Sequence, residues 1–292
     1  RTIASSGGVS AAHCARTFGF ERATSDSASV LADPAATAIV IATRHNSHAK
    51  YVIDGLRAGK AVFVEKPLCL SEEELADIDA AYRAAATPLL MVGYNRRFAP
   101  LVVEAKKHLD PIHEPKAVVI TVNAGVLPAD HWHHELREGG GRLLAEGCHF
   151  IDLLRHIVGH PSERLEAVQM GASGGMRNDD RISITIRFQD GSLGTLHYFG
   201  NGPATFPKER IEVFVAGRAL QIDNFRVLRA YGWPGMRTIR YWRQDKGHEA
   251  EMKAFVRAVQ TGGPAPIRYE ELAEGMRLCF RARAAASERG SP

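Results

Sequence analysis

The first third of the chain alternates short apolar runs with stretches of helical periodicity. The apolar runs are too short for helices and rich in branched side chains, so they are predicted as buried strands at residues 2–4, 38–42, 61–64 and 89–92. Helices are predicted between them, at residues 10–18, at residues 47–58 and from Ser71, which forms a capping box with Glu74. Residues 1–96 are therefore predicted to form a doubly wound α/β domain with a parallel sheet.

The pattern changes after residue 96 to apolar and polar positions that alternate in successive runs. Strands are predicted at residues 118–122, 165–170, 182–188, 193–199, 211–215, 220–222, 227–230 and 238–242. Glycine turns at Gly191 and Gly217 join neighbouring strands as hairpins. Helices are predicted at residues 141–158, 249–261 and 269–286, the second with an apolar face of Met252, Phe255, Val256 and Val259. Residues 97–292 are thus predicted to be an α+β domain, an open and mainly antiparallel sheet with helices on one face.

Composition excludes several classes of protein. The 292 residues carry 37 Lys and Arg against 33 Asp and Glu, without the concentrated basic stripe of a nucleic-acid footprint. No apolar run approaches the roughly 20 residues of a membrane span. The four cysteines lie far apart and form no C-x-x-C pair, which argues against a disulfide framework and a thiolate zinc site. We expect a protein of the cytoplasm that binds neither nucleic acid nor membrane.

Polar side chains follow three of the predicted parallel strands. They are Thr43-Arg44-His45-Asn46-Ser47-His48, Glu65-Lys66-Pro67 and Gly93-Tyr94-Asn95-Arg96-Arg97. Ligands of open α/β sheets bind at the carboxyl ends of the strands, so these segments predict one shared crevice. Lys66, held by the following Pro67, could aim its ammonium at a substrate hydroxyl, although an ordinary surface lysine would look the same in sequence.

Two later segments also carry candidate chemistry. After Gly139-Gly140-Gly141, the predicted helix aligns Arg142, Glu146 and His149 along one face, and an imidazole suits proton transfer near neutrality. The segment Asp130-His131-Trp132-His133-His134-Glu135 contains possible zinc ligands, but adjacent histidines point apart and no H-E-x-x-H spacing occurs. We expect no metal site there; Trp132 instead offers a flat face for a sugar ring.

Taken in order, these motifs resemble the glucose-fructose oxidoreductase and inositol dehydrogenase family. The likeness runs along nearly the whole chain. Thr43-Arg44-His45, Asp130-His131-Trp132 and Phe206-Pro207-Lys208-Glu209-Arg210 are most similar to the branch found behind a zinc-type alcohol dehydrogenase-like region in two-part proteins. The resemblance implies hydride transfer between NAD or NADP and a hydroxyl-bearing carbon of a sugar, sugar nucleotide or cyclitol.

The resemblance also assigns roles to particular residues. Lys66 matches the family's active-site lysine and His149 its active-site histidine, so Lys66 would orient the hydroxyl while His149 takes its proton. Glu146 is a third catalytic candidate. The remaining residues are assigned to contacts with the cofactor or the substrate at the crevice. Cofactor contacts are assigned to Ser5, Ser6, Thr43, Arg44, His45, His48, Glu65, Lys66 and Asn95. Substrate contacts are assigned to Arg96, Asp130, His131, Trp132 and Arg142.

The sequence departs from the family in two places. The family commonly has Asp four residues before the histidine, where this chain has Ala145, and Glu146 could take over that duty. No G-x-G-x-x-G turn occurs, and residues 2–4 resemble the second strand of a dinucleotide domain, which indicates that the first βα unit is missing. We therefore expect the chain as given to bind NAD(P) weakly and to be inactive in this form. Ser5 and Ser6 stand where an acidic residue usually holds the ribose 2′-hydroxyl, and the absence of an acid there favours NADP.

Two other functions remain open. A glycoside hydrolase of the same fold would oxidise its sugar transiently with bound NAD and could use the same Lys66 and His149. A non-catalytic binding or dimerisation module would use the broad face of the antiparallel sheet. That face also predicts a homo-oligomer.

Overall fold

The computed structural model describes residues 1–128, 130–171 and 180–288. Its first part contains every strand and helix predicted there and adds three further elements, β2, α2 and α5. The elements are β1 (Thr2–Ala4), α1 (Gly8–Phe18), β2 (Arg22–Thr24), α2 (Ser27–Ala32), β3 (Ala38–Ile41), α3 (His48–Arg57), β4 (Ala61–Val64), α4 (Glu72–Ala84), β5 (Leu90–Val92) and α5 (Pro100–Leu109).

The parallel strands of this part form two separate sheets. β1 pairs with β2, and β3, β4 and β5 pair in that order, with no ladder between β1 and β3. β4 and β5 are covered on both faces, since Val62 to Val64 and Leu90 to Val92 are all buried. Strands buried on both sides read as continuous apolar runs, which explains why their positions were predictable.

The second part is built on one eight-stranded sheet. Its elements are β6 (Ala117–Asn123), α6 (Cys148–Val158), β7 (Ser162–Gln169), β8 (Arg181–Phe188), β9 (Leu193–Phe199), β10 (Glu209–Val215), β11 (Arg218–Asp223), β12 (Val227–Tyr231), β13 (Ile239–Arg240), α7 (His248–Thr261) and α8 (Tyr269–Glu288). Their order across the sheet is β13-β12-β11-β10-β6-β9-β8-β7, and β6 and β9 alone among these pairs run parallel. The predicted mainly antiparallel sheet is confirmed.

One face of this sheet carries the core. Ile120, Ile184, Leu196 and Val213 point inwards and are buried, while the alternate residues of the same strands are more exposed. α6 packs on this face and is buried along almost its whole length. A single apolar cluster continues from here to β3, β4 and β5, so both parts of the chain share one core.

The entry to α6 differs from the single long helix predicted for residues 141–158. Gly140 and Gly141 have φ of 80° and 83°, a region that glycine adopts freely. Residues Leu143–Gly147 then form a π-helical turn before α6 begins at Cys148. A π-turn is wider than an α-turn, so the angular relation of Glu146 to His149 is not that of a regular helix.

α7 joins the two parts of the molecule. Phe255 packs edge-on against Phe63 of β4, with ring centroids 5.5 Å apart, and also contacts Met91 of β5. Met252 and Val259 support this contact, whereas Val256, predicted on the same buried face, is 43% exposed. The prediction for Val256 was wrong because the apolar stripe of this helix is narrow. Among the described residues no helix combines the length and apolarity needed to cross a bilayer.

Gly247→Ala should destabilise the protein by about 3 kcal/mol or more. Gly247 begins α7 at φ 87°, and a Cβ there would lie 2.5 Å from backbone atoms of Asn95, Phe98 and Ala99. Gly262→Ala at the other end of α7 is the matched control, because φ is 62° but nothing lies within 4 Å. It should cost only about 1 kcal/mol. Urea unfolding measures both, and equal losses would contradict the close approach.

Candidate functional site

The loop after β3 is fixed by its own polar side chains. His48 is fully buried, with Nδ1 2.7 Å from the carbonyl oxygen of Pro67 and Nε2 3.1 Å from that of Thr43. Thr43 Oγ1 lies 2.6 Å from Ser47 Oγ. Both ring nitrogens of His48 are therefore used within the chain, where they tie the end of β3 to the loop after β4. This differs from the predicted cofactor contact, because the imidazole serves the backbone.

Lys66 lies at the carboxyl end of β4 and reaches the turn before α6. Its Nζ donates a 2.7 Å hydrogen bond to the carbonyl oxygen of Ala145. Position 145 is fully buried, so its backbone rather than a side chain faces the ammonium. Glu65 and Lys66 are both half-buried.

The residues after β5 form a buried charge network. Both Nε and Nη2 of Arg96 donate to the carboxylate of Glu209, at 3.1 and 2.9 Å, and Lys246 Nζ donates to the same carboxylate at 2.7 Å. Although burial opposes ionisation, these two cations lower the pKa of Glu209. Asn95 Nδ2 donates to the carbonyl oxygen of Lys246. Asn95 and Arg96, predicted to contact cofactor and substrate, thus face partners within the chain.

Arg97 makes a second buried bridge next to the first. It donates to both oxygens of Asp152 on α6, at 2.7 and 2.6 Å, and to Glu271 on α8. A bidentate pair of this kind fixes orientation as well as charge. The segment after β5 is therefore clamped to α6, α8 and β10.

Glu146 lies in the π-turn among three donors. Tyr198 donates to it at 2.7 Å, Lys208 Nζ donates at 2.5 Å, and Arg142 lies 3.6 Å away. Burial would raise the pKa of Glu146, but Lys208 and the other donors outweigh it and hold the pKa at about 2. Glu146 is thus an ionised carboxylate that is already engaged by Tyr198 and Lys208.

His149 is buried at the start of α6, with its ring edge-on to that of Tyr94. Within the described part of the chain, its Nδ1 has no hydrogen-bond partner. Burial, followed by the nearby charges of Arg96 and Lys66, holds the pKa of His149 well below its usual value. The imidazole is therefore neutral at neutral pH and able to accept a proton.

An aromatic wall formed by His45, Trp132 and His133 borders the same crevice. The Trp132 ring centroid lies 4.6 Å from that of His45 and 4.2 Å from that of His133. The exposed guanidinium of Arg44 lies 4.3 Å over the Trp132 ring and pairs with Glu138 at 3.4 Å. Burial lowers the pKa of both histidines to about 4. This wall is uncharged at neutral pH, with one cation at its outer end.

The remaining predicted residues lie at different depths. Arg142 is 2% exposed and donates to the carbonyl oxygens of Gly125 and Ala124, so it supports the turn from below rather than facing the crevice. Asp130 is exposed, and His131 Nδ1 accepts from the backbone of His133. Ser5 Oγ lies 2.8 Å from Ser10 Oγ, and Ser6 is exposed, both just after β1.

Sequence reasoning missed Lys208, Tyr198 and His133 as members of this site. Lys208 and Tyr198 reach Glu146 across 62 and 52 residues, a separation that no local pattern reveals. His133 belongs to the histidine-rich segment that contains possible zinc ligands, so its position in the sequence was enough to identify it as a candidate. Across the described ranges, no group of three or more His, Cys, Asp or Glu side chains could hold a metal ion.

The geometry defines what the site can do. A half-buried lysine, a neutral buried histidine and a largely uncharged aromatic wall converge where parallel strands end. Such a set can orient a hydroxyl, remove its proton and stabilise developing negative charge.

Comparisons with known proteins match both parts of the chain. Residues 1–94 match the model of an oxidoreductase family with an NAD-binding Rossmann fold, and residues 111–219 match the GFO/IDH/MocA C-terminal domain. Myo-inositol 2-dehydrogenase of Thermotoga maritima is 27% identical, covering 94% of this chain and 84% of the relative. Levoglucosan dehydrogenase of Pseudarthrobacter phenanthrenivorans is 28% identical, covering 91% and 72%.

Solved structures show the same fold. The crystal structure of a probable dehydrogenase from Thermotoga maritima superposes with a TM-score of 0.81 at 25% identity, covering 99% of this chain and 90% of that one. Levoglucosan dehydrogenase in complex with NADH and levoglucosan gives a TM-score of 0.88 at 24% identity, covering 99% and 89%.

Glu209→Ala should lower the free energy of unfolding by roughly 3–5 kcal/mol, because it leaves Arg96 and Lys246 without their shared counter-charge. The side chains of Arg96 and Glu209 are 6% and 1% exposed. Glu212→Ala on the same strand is the control, since its partner Arg210 is half-exposed and such a pair contributes less than about 1 kcal/mol. Denaturant unfolding distinguishes them, and similar losses would argue against a buried network.

Proposed function

The chain belongs to the Gfo/Idh/MocA oxidoreductase family, and from this premise we propose that it transfers hydride between a nicotinamide and a hydroxyl-bearing carbon of a sugar, sugar nucleotide or cyclitol. The observation that carries the proposal is the meeting of Lys66, from the end of β4, with the turn that begins α6 and leads to His149. The two residues come from different parts of the chain, so their meeting is a property of the fold.

The crevice fits the nicotinamide end of NAD or NADP. The carboxyl ends of β3 and β4 supply Thr43, Glu65 and Lys66, and His149 Nδ1 is a buried polar atom without a partner among the described residues. Ser5 and Ser6, which precede α1, are proposed to hold the adenosine ribose, and His45 and Arg44 to line the path between. A nicotinamide bound here supplies the hydride acceptor or donor. The choice between NAD and NADP stays open, with Ser5 and Ser6 favouring NADP.

Lys66 and His149 have complementary tasks in this proposal. The ammonium of Lys66 donates to the substrate hydroxyl and stabilises negative charge on its oxygen. His149, neutral because it is buried among cations, accepts the hydroxyl proton at Nε2 during oxidation and returns it during reduction. The hydrogen bond from Lys66 to the carbonyl oxygen of Ala145 sets the direction of the ammonium.

Glu146 is better suited to hold the wall of the site than to replace the Asp missing at position 145. Its carboxylate already accepts from Tyr198 and Lys208, and its low pKa of about 2 makes it a weak base. We propose that Glu146 fixes Lys208 beside the substrate. The half-exposed Lys208 then contributes a hydrogen-bond donor next to His149.

The substrate class follows from the aromatic wall. Trp132 and His133 present flat aromatic rings, which suit the apolar face of a sugar or cyclitol ring, while the Arg44 guanidinium covers part of the Trp132 ring. His131 and Asp130 lie at the outer edge of this wall. The relatives named above act on inositol and levoglucosan, both polyhydroxylated rings, which supports this choice.

All four cysteines are free thiols, which supports a location in the reducing cytoplasm.

We also propose that the chain forms a homo-oligomer through the open face of the eight-stranded sheet. Phe214, Ala117 and Leu193 lie side by side on three adjacent strands of that face, and Phe214 and Leu193 are 47% and 46% exposed. A second copy would cover this apolar row by the same surface.

His149→Asn should reduce kcat by roughly 10² to 10⁴ and leave the Kd for NAD(H) or NADP(H) within about threefold. Loss of a proton acceptor affects the chemical step more than cofactor binding. Steady-state assays of nicotinamide reduction against inositols, anhydrosugars and sugar nucleotides measure kcat, and fluorescence titration measures binding.

The matched control is His160→Asn, which changes an exposed histidine near Asp190 and should leave kcat unchanged. Retention of parental kcat by His149→Asn would move the base elsewhere. Net turnover of glycosides without consumption of added cofactor would instead favour the hydrolase alternative. Failure of the protein to bind either cofactor would favour the non-catalytic module.

Phe214→Asp should convert the oligomer to smaller species, because a carboxylate in the apolar row would be buried on association. Val103→Asp on α5 is the control, with a side chain of similar exposure, 43%, on a helix outside the apolar row. Light scattering after size exclusion gives the mass of each. A monomeric parent would contradict the oligomer proposal.

A further inference from the structure

A buried acid on α7 has no role in the chemistry described so far. Glu251 is 3% exposed, and its Oε1 has no hydrogen-bond partner among the described residues. Burial, then the charges of Glu65 and Asp152, raise the pKa of Glu251 to about 8, while Arg96 acts in the opposite direction. A buried carboxyl of this kind costs free energy unless it keeps its proton or finds a partner.

The periodicities of helix and strand show which partner faces it. Phe255 packs on Phe63 of β4 and Met91 of β5. One helical turn earlier lies Glu251, and two residues further along each strand lie Glu65 and Gly93, on the same faces as Phe63 and Met91. The start of α7 lies beside the segment that follows β5, because its N-cap Gly247 approaches the backbone of Asn95 and Phe98. Glu251 is nearer to that end of the helix than Phe255 and therefore lies on the side of Glu65.

Gly93 has no side chain, which leaves space for the Glu65 carboxylate. A Cβ built at Gly93 would lie 3.1 Å from Glu65 Oε2 and 3.4 Å from Oε1, so the Glu65 carboxylate occupies the space of a missing side chain. The carboxylate is thereby held under the edge of the sheet, on the side where α7 packs. A side chain at position 93 would displace it.

The other charged groups around Glu251 already have partners. Arg96 binds Glu209, which also binds Lys246, and Asp152 binds Arg97. His248, one turn earlier on α7, is exposed. Glu65 is thus the acceptor best placed to share the proton of Glu251.

We propose that Glu251 and Glu65 form a carboxylic acid–carboxylate pair that shares one proton, and that Glu251 thereby acts as a positioning residue for Lys66. Glu65 precedes Lys66 directly, so fixing its carboxylate fixes the backbone from which the ammonium reaches the carbonyl of Ala145. The part that concerns Lys66 rests on the proposed function; the shared proton does not. Loss of that proton at alkaline pH leaves two facing anions, which repel each other and loosen the turn.

The pair makes stability depend on pH in a defined direction. The folded state holds the proton of Glu251 up to about pH 8, while an unfolded glutamate releases it near its ordinary pKa of 4.5. The contribution of this proton to stability is complete below about pH 4.5 and is lost as the pH rises to about 8. Glu251→Gln, which mimics the neutral acid, removes this loss.

The first experiment measures Tm between pH 5 and 9 for the natural protein, Glu251→Gln and Glu65→Gln. We expect the Tm of Glu251→Gln to rise relative to the parent by on the order of 5 °C between pH 5 and 8. Glu65→Gln should shift the pH dependence of the parent to lower pH, because it removes the facing anion. Glu249→Gln, on the same helix but exposed, is the control and should show neither effect.

A pH-independent difference between Glu251→Gln and the parent would overturn the buried acid, and an unchanged pH dependence in Glu65→Gln would overturn the pair. If Glu251→Gln fails to fold, Glu65→Gln alone decides. In the dehydrogenase assay, Glu251→Gln should retain kcat above pH 8 where the parent loses it. If the stability results are as expected but no dehydrogenase activity is found, the proposed function is refuted and the shared proton stands. If the parent and Glu251→Gln lose activity equally at alkaline pH, the positioning of Lys66 is refuted.

Discussion

The buried carboxylate of Glu209 is the interaction on which the two parts of the molecule depend. It lies at the start of a strand of the large sheet, yet its partners are Arg96 after β5 and Lys246 before α7. A single buried anion between two cations cannot move without exposing an unpaired charge to a medium that solvates it poorly. The three segments are therefore held at fixed distances, and the crevice between them is shaped before any ligand arrives.

The candidate site inherits its geometry from this constraint. Burial, together with the charge of the neighbouring Arg96, keeps the His149 imidazole neutral, while Arg97, the next residue, secures α6 through Asp152. Lys66 then meets the π-turn that opens α6. Rigid positioning of this kind is what proton transfer requires, since small displacements of the reacting groups cost large factors in rate. The ion pairs thus serve orientation more than net stability.

Much of the fold was predictable because buried apolar residues recur along the sequence with the period of the helix or strand that they belong to. Apart from β2, the strands were predictable from apolar runs and alternation. β2 and α2 were missed because each is short and mostly exposed. α5 begins at Pro100, a recognisable start that sequence analysis passed over. In the site, strand ends revealed Thr43, Glu65 and Lys66. The π-turn, the contacts of His48 and the link from Lys208 to Glu146 depend on distant partners and leave no local pattern. The domain boundary at residue 96 stays a prediction.

Lys208 and Glu209 are neighbours in sequence but serve different partners, because successive side chains of an extended strand point to opposite sides. Lys208 reaches Glu146 and Glu209 reaches Arg96. Insertion or deletion of one residue near the start of β10 would exchange the two, turning a cation towards Arg96 and an anion towards Glu146. Length changes in the preceding loop are therefore tolerated only where they leave this register intact, which couples the length of that loop to the joint between the two parts of the protein.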